Sequence, residues 1–66
     1  MTKAKLIKKY EGILMSYKEN IKEHVSAFME ASQNGDNEAV KHYDKKILEL
    51  NRERILIEKF LKDLKS

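Results

Sequence analysis

The chain has 66 residues, with 41% apolar and 38% charged side chains, two glycines, and no proline or cysteine. That length holds one small domain (residues 1–66), and the apolar share excludes compositional disorder. The missing cysteines exclude a disulfide framework, a thiolate metal site and a thiol nucleophile. A net charge of +3 is too modest to assign a partner without knowing where the charges lie.

Taken from its N-terminus, the chain predicts a first helix over about residues 3–33. Its apolar residues recur with a 3-4 spacing from Ile7: Ile7, Tyr10, Leu14, Tyr17, Ile21, His24, Phe28 and Ala31. That spacing is the seam of a left-handed coiled coil. Turn residues cluster once, at Asn34-Gly35-Asp36-Asn37, which predicts a turn over 34–36. Gly35 supplies the left-handed conformation that closes a helix. Asp36 supplies the side-chain cap that opens the next one. The second helix is expected over about 36–64, with Val40, Tyr43, Ile47, Leu50, Arg54, Ile57, Leu61 and Leu64 on its seam. Glu38 near its start and Lys59, Lys62 and Lys65 near its end suit the helix dipole.

The two seams fit each other. When the chain folds back at Gly35-Asp36, facing residues have numbers that sum to 71 in every layer, from Ile7 with Leu64 to Ala31 with Val40. Turn chemistry and hydrophobic register thus point independently to one hairpin. The expected fold is all-α, an antiparallel two-helix hairpin of coiled-coil type that pairs into a four-helix bundle. The pairing follows from what the seam leaves over. Leu6, Ile13, Leu56 and Phe60 lie on one flank (heptad positions g and c), and Met15, Val25, Met29, Leu48 and Ile55 on the other (e and b). Exposed patches of this kind mark interfaces, and a lone hairpin of this size has little core. The expected interface residues are therefore Leu6, Ile13, Met15, Met29, Leu48, Ile55, Leu56 and Phe60, serving a homodimer and a protein partner.

Two polar residues interrupt the seam. Arg54 faces Tyr17 with Glu58 one turn on; its head is expected to reach water beside Glu58, and Arg54→Leu to raise stability. His24 is expected to bond a nearby carboxylate such as Glu23 or Glu49. Neither histidine has the convergent partners a metal needs. The carboxylates are spread along outer faces among lysines, the pattern of a solvated helix surface. No phosphate-binding glycine loop or Ser-His-Asp arrangement is present. The expectation is no enzyme, no cofactor, no metal and no small-molecule substrate.

Charge is placed unevenly. Residues 1–18 carry five lysines against one glutamate, and residues 52–66 five basic against three acidic groups. The hairpin brings these segments together as an open end of +6, while residues 19–51 carry −3. Lys3, Lys5, Lys8, Lys9, Lys59, Lys62 and Lys65 are candidate phosphate contacts, and a nucleic-acid-associated hairpin is the alternative function. Only two of the fourteen basic residues are arginine, the side chain suited to bidentate phosphate and base contacts. No apolar run is long enough to span a membrane, and no leader-like segment follows the charged N-terminus, so a cytoplasmic location is expected.

Residues 35–47, GDNEAVKHYDKKI, resemble the opening helix of a tetratricopeptide repeat. The helical pattern then runs on without the break such a repeat needs. In length and outline the chain is also similar to the helical-hairpin protein of the large ribosomal subunit, without its arginine-rich second helix. The expected function is a non-enzymatic protein-interaction module: a self-associating hairpin acting as adaptor, regulator or inhibitor.

Overall fold

A computed structural model describes residues 2–66. It contains two helices, α1 (Lys3–Gln33) and α2 (Asn37–Lys65), packed antiparallel along their lengths as a helical hairpin. The rod measures 49 × 15 × 14 Å.

Each helix end is closed by the chemistry next to it. Thr2 caps α1, its Oγ1 accepting from the backbone N–H of Lys5 at 3.2 Å. At the far end the Asp36 N–H donates to the Ala31 carbonyl and the Gly35 N–H to that of Ser32. Gly35 takes φ +70°. This is the Schellman arrangement, and it needs the left-handed residue that glycine supplies without a Cβ penalty. Asp36 serves both helices: its backbone closes α1, and its carboxylate accepts from the Ala39 N–H at 3.1 Å. The second helix therefore starts at Asn37, one residue later than expected, because Asp36 is its cap; it ends at Lys65, one residue beyond the expected 64, where the Ser66 N–H still bonds the Lys62 carbonyl.

The seam is as the spacing predicts. All sixteen heptad residues from Ile7 to Ala31 and from Val40 to Leu64 are buried or half-buried. Yet full burial is rare. Among the described residues the buried apolar side chains are Ala31, Leu50 and Leu61. Two cylinders in contact along one line shield each side chain on one side only, so a two-helix seam cannot close around its own residues.

Candidate protein interface

The two flanks of the rod differ. On the e side a polar strip closes the gap between the helices. Arg54, half-buried, places Nη1 2.7 Å from Glu58 Oε1, and its Nε donates to Asn51 Oδ1 at 3.3 Å. The guanidinium thus reaches the rim beside Glu58, as expected. Further toward the open end, Lys65 Nζ pairs with Glu11 Oε2 at 3.3 Å, linking the two helices. Val25 interrupts this strip, and Met15, Met29, Leu48 and Ile55 stand beyond it, all exposed; Met15 lines a groove with the seam residues Leu14 and Leu61.

The g side is apolar where it meets the seam at either end, with Asn20, Lys46 and Glu53 between. Leu6, Ile13, Ala27 and Ala39 are half-buried. Phe60 rests edge-on against the Tyr10 ring, with centroids 4.8 Å apart and planes at 68°. Such aromatic pairs favour the edge-to-face geometry through their quadrupoles. Phe60 is nevertheless 43% exposed and Leu56 66% exposed. With Tyr10 and Ile57 they line an apolar groove of about 200 Å³. At the other end of this flank, beside the turn, Ala27, Ala31, Ala39 and Tyr43 floor a hollow of about 210 Å³ rimmed by Glu30, Asn34 and Asp36.

The expected interface residues are thus brought together as two separate sets. Leu6, Ile13, Leu56 and Phe60 form one open-end patch, in which Leu6 and Ile13 are partly covered. Met15, Met29, Leu48 and Ile55 are spread along the opposite flank. The hollow was not anticipated; alanines at Ala27, Ala31 and Ala39 against Tyr43 are the signal that could have found it.

The seam histidine corrects an expectation. His24 Nδ1 donates to the backbone carbonyl of Asn20 at 2.7 Å instead of to Glu23 or Glu49. In a helix the carbonyl four residues back is within reach, whereas a carboxylate must be brought there. A carbonyl only accepts, so Nδ1 carries the proton. The ring also packs edge-on near Tyr43, at 6.1 Å. Tyr17 titrates above its ordinary value of 10.0. The main cause is a hydrogen bond between its hydroxyl and the Glu53 carboxylate, followed by desolvation and the charge of Glu53.

Lys3, Lys5, Lys8, Lys9, Lys59 and Lys62 are exposed at the open end, while Lys65 is engaged by Glu11. Among the described residues no three His, Asp or Glu side chains converge as a metal site would require, and no helix is long and apolar enough to cross a membrane. No protein-family model, curated protein or solved structure matches the chain.

Proposed function

We propose that the hairpin is a non-enzymatic protein-interaction module that self-associates into a four-helix bundle and uses its remaining apolar surface to hold a protein partner, as an adaptor, regulator or inhibitor would. One observation carries the reading. Seven large apolar side chains (Met15, Val25, Met29, Leu48, Ile55, Leu56 and Phe60) are exposed, while Ala31, Leu50 and Leu61 are the buried core. Burying a leucine or phenylalanine contributes about 1.5–3 kcal/mol. A chain that leaves such groups outside gains further stability by covering them. The cheapest cover is a second copy.

Light scattering across a range of protein and salt concentrations tests this. A mass of two chains is expected. Phe60→Glu and Ile55→Glu, made separately, then report which flank is covered. A mass of one chain at every concentration would overturn self-association. The cluster of exposed lysines at the open end supports a second reading, contact with nucleic-acid phosphates. It predicts retardation of DNA or RNA at low salt that falls steeply as salt rises.

A further inference from the structure

Building on the self-association proposed above, we infer that two copies pair side by side and antiparallel through the g flank, each seating its Phe60 in the other's alanine-floored hollow beside the turn. Shape, charge and register each lead to this arrangement.

Shape comes first. The g flank carries a phenyl ring, packed on Tyr10 and still partly exposed, at its open end and a hollow at its turn end. The hollow measures about 210 Å³ and opens to solvent, with Ala27, Ala31 and Ala39 beneath a rim of Glu30, Asn34 and Asp36. By helix rise the two features lie roughly 25–30 Å apart along the rod. A two-fold axis midway between them, perpendicular to the rod, places each ring over the other copy's hollow. The contact forms twice, as an isologous dimer requires. The e flank has open-end grooves over Leu14 and Leu61, but they are edged by Glu11, Lys18, Glu58, Lys62 and Lys65 and carry no aromatic ring to seat in a partner.

Charge selects the orientation. The open end carries +6 and residues 19–51 carry −3. A parallel pair would set +6 beside +6. The antiparallel pair sets each basic end along the other copy's acidic half. There the hollow's rim bears Glu30 and Asp36. An end-to-end contact satisfies the same charges but has only the 15 × 14 Å cross-section, on the order of 200 Å² against the roughly 800 Å² per partner of a stable interface.

Register supplies the third argument. The midpoint between ring and hollow falls near Asn20 on α1 and between Lys46 and Glu53 on α2, all g-position residues. Asn20 then lies beside Asn20 of the second copy, a polar pair of the kind that fixes alignment in coiled coils. Lys46 meets Glu53 of the second copy, and Glu53 meets its Lys46. All three side chains are exposed in the single chain.

The native sequence has no cysteine, so cross-linking is free of background. Asn20→Cys alone is expected to form a disulfide-linked dimer under mild oxidation, as is a mixture of Lys46→Cys with Glu53→Cys. Charge reversal gives an independent arm. Lys46→Glu or Glu53→Lys is expected to weaken dimerisation about tenfold, with the combined variant recovering most of it. Lys46 and Glu53 stand two turns apart in one chain, so recovery reports contact between chains. Helix content by circular dichroism confirms that each variant folds. A two-chain mass without the Asn20→Cys link or the charge rescue overturns this geometry and leaves self-association standing. A one-chain mass overturns both.

Discussion

The two flanks of the rod border the same seam, yet one is lined by charged pairs and the other is apolar at both ends and polar only at its middle. On the e side, Arg54 with Glu58 and Lys65 with Glu11 satisfy the space beside the seam with groups that also face water. On the g side, Leu6, Ile13 and Phe60 at the open end and Ala27 and Ala39 at the turn end gain only partial cover from the hairpin, while Asn20, Lys46 and Glu53 between them are exposed. A polar strip holds its own hydration and gains little from a neighbour. An apolar strip gains from every contact that removes it from water. On the proposed pairing this difference makes the g flank the surface for a second copy and leaves Met15, Met29, Leu48 and Ile55 for another partner.

The comparison can be broken most severely at the seam both flanks share. Leu61, 4% exposed, is among the buried core. Leu61→Ala is expected to cost about 2–4 kcal/mol, a large share of the stability of so small a domain. Thermal unfolding followed by circular dichroism should show a markedly lower midpoint. An unchanged midpoint would mean that the seam does not hold the fold.

A paired substitution sharpens the contrast between flanks. Phe60→Ala removes an edge-to-face partner of Tyr10 and should cost about 1–3 kcal/mol. Met15→Ala, at a position 64% exposed on the e side, should stay within about 0.5 kcal/mol. Urea denaturation of both variants measures this, and equal losses would erase the distinction.

The polar strip itself yields a smaller effect of opposite sign. Arg54→Leu should raise stability by about 0.5–1 kcal/mol, because an apolar side chain fills the seam position and Glu58 stays solvated. A large loss would instead show that the pair with Glu58 is structural.

The smallest effect lies at high pH. The Glu53 contact raises the folded pKa of Tyr17 above 10.0. The folded state therefore binds that proton more tightly than the unfolded chain. Its contribution is intact below about pH 10 and is lost as pH rises through the folded value. Phenolate absorbance should show one tyrosine titrating late, and Glu53→Gln should bring it back toward the ordinary value. A late titration that survives Glu53→Gln would assign the shift to burial.

Most of the fold was legible because each of its parts is local or periodic. Gly35 and Asp36 announce the turn within two residues, and a 3-4 spacing that never slips in either helix announces the seam. The capping residue Asp36 was legible as a cap but not as the reason α2 begins at Asn37. Less of the interface was readable. Heptad lettering separated the exposed residues into two flanks but ranked neither. The partner of His24 also escaped, because a carbonyl in the helix backbone is present at every position and carries no sequence mark.

The sequence by itself determined the hairpin, its register and its basic and acidic ends, since spacing, turn chemistry and charge are properties of residues in order. Only the tertiary structure decided that Arg54 pairs with Glu58 and Lys65 with Glu11 on one flank, that Phe60 stands on Tyr10 and stays partly exposed, and that three alanines and Tyr43 leave a hollow beside the turn. Those are outcomes of how side chains from two helices share one line of contact. A pattern read along a single helix states which residues face the partner helix. It does not state how much space their side chains leave between them.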